Sequence, residues 1–482
     1  MSLYDLIVRN GALVTPSGVD RADLAVAGGR IVEVASEMMG TSREELDAAG
    51  LHVFPGLIDA HVHFNEPGRA GWEGFATGTR ALAAGGATAY VDMPLNAHPP
   101  TLDAESFRLK HEAARASSLV DFALWGGLVP GNLVFFDELA ALGVAGFKAF
   151  MSNSGIDDFP AADDLTLYEG MACAARLGLP VAVHAENDTI TGELARRAVA
   201  RGQTSARDYL ASRPVAAELE AIARAITFAE ATLCRLHVVH VSTGRGVALV
   251  AAARARGVDV SCETCPHYLV LTEDDLEELG AVAKCAPPLR ARVEVEALWR
   301  ALFDGSLPMV ASDHSPAPAS LKGGADFFKI WGGISGCQST LHLLLTEGHE
   351  RRALPLETIA RITSGYVADR FGLAPAKGSL SAGADADLAL VDLGHSAVLR
   401  EEDLRYRHRH SPYVGRTLRG RVVRTLVRGT TVYHDGKVVS PPIGCLLAPV
   451  PTISRSLLTL LTNLTRQDML LEKMIWSMRS VT

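Results

Sequence analysis

Between residues 57 and 314, short β-rich runs alternate with helix-forming stretches, and this alternation constrains the fold more than any other feature of the chain. The strand candidates are Leu57–Phe64, Ala87–Met93, Phe122–Leu128, Gly146–Met151, Pro180–Glu186, Arg235–Ser242, Val258–Thr264 and Pro308–His314. Helix-forming stretches lie between most of them, among them Asp103–Ala116, Asp164–Leu177, Ala216–Ala231 and Arg245–Ala255. Strands separated by helices form parallel sheets, and eight such units over this span predict a (β/α)8 TIM barrel. A doubly wound open sheet is the alternative, but no G-x-G-x-x-G or phosphate-binding loop follows any strand.

Both ends of the chain read differently. Leu6-Ile7-Val8, Ala12-Leu13-Val14, Leu24-Ala25-Val26 and Ile31-Val32-Glu33-Val34 are short β-rich runs. Asn10-Gly11, Pro16-Ser17-Gly18 and Gly28-Gly29 separate them, and Asn-Gly and Gly-Gly are hairpin signals. Beyond Pro375 the same grammar returns in Gly378–Leu380, Ala386–Val391, Val422–Val427 and Val432–Gly436. The expected division is therefore 1–54 and 375–450 as two parts of one small composite β-sandwich, flanking a barrel over 55–374. The tail 451–482, with Leu457–Leu461 and Met469–Met478, fits an amphipathic helix on the surface or at a subunit contact.

Composition narrows the function classes. The net charge of −9 gives no electrostatic basis for binding nucleic acid or an anionic membrane. Seven cysteines in 482 residues are not a disulfide framework, and the odd count fits reduced thiols. The segment Met1–Asn10 has no basic region followed by an apolar core, and no apolar run reaches membrane-spanning length. A cytoplasmic location is the expectation.

The ends of the expected strands carry the chemistry. His61-Val62-His63 closes the first, and residues two apart on a strand face one side, so both imidazoles can meet one ion. The plain alternative is two histidines in a turn. His184 ends the fifth strand. On the sixth, His237 and His240 are three apart and expected on opposite faces, with His240, nearer the C-terminal end, the one in the barrel mouth. Asp313 closes the eighth strand. Lys148 sits in Phe147-Lys148-Ala149-Phe150-Met151, where an unpaired ammonium is costly to bury; a snorkelling lysine is the bland reading. A buried lysine with a lowered pKa becomes a nucleophilic amine that captures CO2 as a carbamate. His61, His63, Lys148, His184, His240 and Asp313 all converge on one mouth. Four imidazoles and one carboxylate suit zinc or a similar divalent ion, and a carbamate supplies the anion that two such ions need between them. Cys262-x-x-Cys265-Pro-His267 lacks a second Cys pair at zinc-finger spacing and is expected to be a structural strand and loop.

Pro55-Gly56-Leu57-Ile58-Asp59-Ala60-His61-Val62-His63, Gly146-Phe147-Lys148 and Ser312-Asp313-His314 resemble the cyclic amidohydrolases that include dihydroorotase, dihydropyrimidinase (hydantoinase) and allantoinase. The resemblance runs to about Val439. Within the group, Phe64-Asn65-Glu66-Pro67-Gly68, Asp92–Thr101, Ser152–Phe159, Cys262–Tyr268 and Trp331-Gly332-Gly333-Ile334 are most similar to the allantoinase branch. The resemblance implies a metal-dependent hydrolase that opens the hydantoin ring of allantoin to allantoate, a step of purine catabolism. It implies two divalent ions, zinc first, with cobalt, manganese, nickel or iron as alternatives. His61, His63 and Asp313 would hold one ion, His184 and His240 the other, and N6-carboxylated Lys148 would bridge them. Asp313 is the expected proton carrier, and a homotetramer or dimer is the expected assembly.

Substrate contacts implied by the resemblance fall on Asn65, Asn153, Ala286, Ser315 and Gly333. Dihydroorotases place an arginine, a fork for carboxylates, where Asn65 stands, so Asn65 argues for a neutral ring. Hydantoinases usually carry tyrosine at Asn153. Ala286 replaces a serine of many relatives, and the tail after Val450 has no counterpart. A hydantoinase is the closest rival reading. A non-catalytic assembly protein is the other, and the presence of His61, His63, Lys148 and Asp313 argues against it.

Overall fold

The computed structural model describes residues 3–449, and the helix expected in the tail lies outside them. The N-terminal part forms β1 (Leu3–Thr15), β2 (Gly18–Ala27), β3 (Arg30–Ala35), β4 (Thr41–Asp47) and β5 (His52–Pro55). Hairpins at Pro16-Ser17 and Gly28-Gly29 join β1 to β2 and β2 to β3, as their turn residues predict. Asn10-Gly11 makes no hairpin: β1 runs straight through it, with a register shift between Val8 and Gly11. Asn10 takes a φ of 61° there, its backbone N–H donates to Asp23 and its side chain to Asp47. Gly11 is held because a Cβ would lie 2.8 Å from Val53 of β5. The dipeptide is thus a bulge whose extra residue has found its partners elsewhere.

The barrel strands are β6 (Leu57–Val62), β7 (Ala87–Asp92), β8 (Asp121–Leu124), β9 (Gly126–Gly127), β10 (Phe147–Phe150), β11 (Pro180–His184), β12 (Arg235–Val238) and β13 (Val260–Cys262). β6, β7 and β8 are parallel neighbours, as are β9 through β13 in order. The expected eighth strand, Pro308–His314, is no continuous ladder. It closes the ring by bridges from Val310 to Thr264 and from His314 to Val62. Ser312 interrupts the ladder by giving its N–H to the side chain of Asp59, and Asp313 bends the backbone with a φ of 45°. The two faces of the ring bury different cores. Ile58, Ala60, Ala89, Val91, Ala182 and Ala311 fill the interior with small side chains. Leu57, Phe122, Phe147, Val181, Val183, Leu236 and Val238 pack outward with the apolar faces of the helices. Helices Ala104–Ser117, Asp164–Arg176, Val215–Thr232 and Gly244–Ala255 form where the sequence places them. Asp103 and Asp163 cap the first two by accepting from backbone N–H groups three residues on.

After the barrel come β14 (Leu388–Val398), β15 (Thr417–Val427), β16 (Thr430–His434) and β17 (Lys437–Val438). β14 pairs antiparallel with β5, so strands from both ends share one nine-stranded sheet. Leu6, Val8 and Leu24 meet Leu388, Leu390 and Leu426 in one buried cluster. Gly378–Leu380 forms no strand; Gly378 has a φ of 85° and lies so close to Ser364 and Ala368 that a Cβ would clash. Nearby, buried Lys377 ties the barrel to this sheet, with Nζ 2.6 Å from Asp121, 2.7 Å from Asp387 and 2.9 Å from Asp385. Among the described residues no helix is long and apolar enough to cross a membrane.

Candidate metal centre

In register across the barrel interior, Lys148 of β10 faces Ala182 of β11, which faces His237 of β12, which faces Ser261 of β13. One layer nearer the C-terminal strand ends stand His61, His63, His184, His240 and Asp313. Four residues around this mouth hold left-handed backbone without being glycine: Asn65 (φ 63°), Asn96 (66°), His240 (41°) and Asp313 (45°). Such conformations persist where surrounding structure imposes them, and they gather at functional sites.

Two of the histidines, His61 and His184, are wired so that one nitrogen is anchored by a glutamate and the other points inward. Nδ1 of His61 lies 2.6 Å from Glu263, which directs Nε2 toward Asp313 Oδ1 at 3.2 Å. His63 Nε2 lies 3.4 Å from the same oxygen. Nε2 of His184 lies 2.9 Å from Glu186, which leaves Nδ1 facing His240 Nε2 at 3.0 Å. Burial lowers the pKa values of His63, His184 and His240, which favours the neutral imidazole that can ligate a metal ion. Burial pushes Asp313 up, but His61, His63 and His240 outweigh it and hold the carboxyl well below its usual range. Acceptor atoms of His61, His63 and Asp313 lie within 4.8 Å of one another, an arrangement that calls for a cation. Lys148 is fully buried, its Nζ has no hydrogen-bond partner, and burial pushes its pKa down to about 7.

Above this floor opens a cavity of about 440 Å³. Asn153, Ala286, Ser315 and Gly333 line it. Asn65 does not. It is buried, and its side-chain amide donates to the Pro316 carbonyl at 3.3 Å, because its left-handed turn carries the side chain back under the loop after Asp313. Asn96, Asp188, Tyr209, Arg213, Lys284 and Trp331 join the walls instead.

The chain matches the model of the amidohydrolase family over residues 52–432. The chain belongs to that family. An allantoinase from Rubrobacter xylanophilus is 64% identical to this amidohydrolase over 449 residues, covering 93% of this chain and 98% of the relative. The allantoinase of Escherichia coli K12 is 44% identical, covering 91% and 97%. Among solved structures, the L-hydantoinase (dihydropyrimidinase) of Arthrobacter aurescens superposes with a TM-score of 0.90 at 36% identity, covering 92% of this chain and all of that one.

Three features of the site depart from the sequence reading. His237 and His240 both face the barrel interior, because the left-handed turn at His240 breaks the alternation that holds within a strand. His237 lies a layer deeper, with Nε2 3.1 Å from Glu263 and Nδ1 2.8 Å from Ser261. Glu263 and Glu186 lie outside the set expected from the sequence, although Glu186 stands two residues after His184, a legible same-face spacing. Burial pushes both glutamates up, yet Arg213 and His184 hold Glu186 at about 2, and His61 and His237 hold Glu263 at about 2. Both are therefore carboxylates, each accepting the ring N–H of a histidine and fixing which nitrogen faces the site. Asp59 is the third, accepting from the backbone N–H groups of His61 and Ser312.

Proposed function

We propose that this chain is an allantoinase: it hydrolyses a cyclic amide bond of allantoin, giving allantoate. The observation that carries this reading is the meeting of four imidazoles and one carboxylate around the unpartnered Lys148 amine, at the foot of a cavity lined by Asn96, Asn153 and Ser315 together with the charged Asp188, Arg213 and Lys284. Identity of 64% and 56% to two allantoinases, each over 93% of this chain, supports the choice of ring.

The donor set fits two divalent ions, with His61, His63 and Asp313 on one and His184 and His240 on the other. Zinc suits these borderline ligands, with cobalt, manganese, nickel or iron as alternatives. Lys148, once carboxylated, would hold both ions: its neutral nitrogen attacks CO2, an N–C bond forms as one C=O π bond opens, a proton leaves, and a carbamate with one negative charge shared by two oxygens replaces an amine without a partner. The ions, when bound, polarise the ring carbonyl and bring the pKa of water to about 7.

The chain's own groups do the rest. Glu263 and Glu186 fix the tautomers of His61 and His184. Asp313, at the cavity floor, accepts the proton of the attacking water with its second oxygen. As the C–N bond breaks, Asp313 passes that proton to the departing ring nitrogen. Asn153, Ser315 and backbone groups at Ala286 and Gly333 orient a neutral ring. Asn65 acts from beneath, holding the loop at Pro316. The divisions near residues 55, 375 and 450, a sandwich built from the nine-stranded sheet, a homotetramer or dimer, and a cytoplasmic location complete the reading.

A hydantoinase is the second reading, favoured by the fold similarity to L-hydantoinase. The test offers allantoin, hydantoin, dihydrouracil and dihydroorotate to metal-replete protein side by side, with Lys148→Ala as control. Turnover confined to allantoin and lost in the control is expected. Preference for hydantoin or dihydrouracil sinks the substrate assignment, and no turnover on any ring sinks the hydrolytic one.

A further inference from the structure

The run after β13 holds a second group of ligand atoms. Side-chain atoms of Cys265, His267 and Asp313 lie within 4.8 Å of one another, and Asp313 is the member shared with His61 and His63. Cys265 is a free thiol with no exposed surface, and His267 is equally buried. Neither ring nitrogen of His267 has a hydrogen-bond partner, which is the decisive observation. A fully buried imidazole with both nitrogens unsatisfied needs an explanation, because each orphaned polar atom costs its desolvation. Packing does not supply one. The ring lies edge-on to Tyr268, with centroids 4.3 Å apart, and Tyr268 spends its hydroxyl on the Pro287 carbonyl. The sequence alone makes Cys262-x-x-Cys265-Pro-His267 a structural strand and loop. The fold instead sets Cys265 and His267 beside the carboxylate at the cavity floor.

We propose that Cys265, His267 and Asp313 form a third metal site, selective for thiophilic ions, that inhibits the enzyme when filled. This rests on the reading of Asp313 as ligand and proton carrier of the hydrolytic centre. A sulfur, an imidazole nitrogen and a carboxylate oxygen select soft and borderline ions over magnesium or calcium. On binding, the S–H bond of Cys265 breaks, a sulfur–metal bond forms and the proton leaves to solvent. An ion held there draws Asp313 away from the water and ring nitrogen it serves. Of the three, Asp313 is the one that lines the cavity, its side chain 11% exposed.

The test titrates zinc-loaded full-length protein with cadmium chloride, following the ultraviolet band of sulfur-bound cadmium, the metal content after desalting, and allantoin ring opening. In the wild type we expect one cadmium beyond the resident zinc, a sulfur band that saturates with it, and loss of turnover in step. Cys265→Ser abolishes the band and the extra ion. His267→Gln keeps the band but weakens the site by about 10- to 100-fold. Cys234→Ser, a buried thiol just before β12, leaves both unchanged. Absence of a sulfur band in the wild type, or its persistence in Cys265→Ser, overturns the proposal. Fewer than two zinc ions per chain before titration counts against the two-ion reading instead, while the Cys265-dependent band still decides the third site. Each variant's thermal melting identifies one that has lost its fold, and the wild-type band is read independently of any variant.

Discussion

At the residue scale, one physical rule accounts for most of the centre: a group that must be neutral or aimed inward is buried beside another that makes this possible. Glu263 receives both His61 and His237, so it orients a metal-facing ring while anchoring a deeper one. Glu263→Gln keeps the shape but offers an amide in place of the charge, and metal affinity measured by chelator competition should fall about 10- to 100-fold. Lys148 allows a pH prediction. Its ordinary pKa is 10.5 and burial lowers it to about 7. Between those values the unfolded chain binds the proton and the folded chain does not, so stability rises with pH across that window. Protein freed of metal and CO2 should therefore melt higher at pH 9 than at pH 7, and a flat profile would contradict a buried neutral amine. The same deprotonation favours carbamate formation: a labelled-carbonate carbon NMR signal should grow above pH 7 and be absent in Lys148→Ala.

At the element scale, the strand ends and the loops that follow them shape the mouth. Gly333 approaches the loop after Asp313 so closely that an added Cβ would stand 2.2 Å from the Ser315 carbonyl oxygen. Its N–H also donates to the Lys284 carbonyl at 2.8 Å, linking two cavity walls. Gly333→Ala should raise KM for the ring substrate at least tenfold with little change in bound metal, since it moves the wall and not the floor. The barrel and the nine-stranded sheet are joined by buried Lys377 among Asp121, Asp385 and Asp387. Removing one partner of a buried ionic cluster leaves the rest uncompensated, so Lys377→Met should cost about 3–5 kcal/mol in urea unfolding. The Asn10-Gly11 bulge belongs to this scale too. Its turn-forming composition is plain in the sequence, but Asp23 and Asp47, the side chains that satisfy Asn10 within a continuous strand, come from other strands.

At the scale of the whole molecule, metal and acid should act through the same carboxylates. Glu186 and Glu263 have folded-state values of about 2 against an ordinary 4.5. Their contribution is present above the unfolded value and is lost as pH falls toward the folded one, so stability should collapse between about pH 4.5 and 2. Substituting Gln at both should flatten that limb of the acid-unfolding curve. The sequence by itself determined the alternation that makes a barrel, the strand-rich character of both ends, and the convergence of His61, His63, Lys148, His184, His240 and Asp313. These follow from local periodicity and from the rule that barrel strands end at one mouth. Tertiary structure alone decided what depends on contacts between distant segments. It turned His240 left-handed and so brought His237 inside, swung Asn65 beneath the cavity toward Pro316, and paired Glu263 with a histidine 202 positions away. It also reduced the eighth strand to bridges, because the backbone N–H of Ser312 donates to the side chain of Asp59 and not to a strand carbonyl. A strand's period specifies which side a residue faces only while the strand lasts, and the chemistry of this chain begins where the strands end.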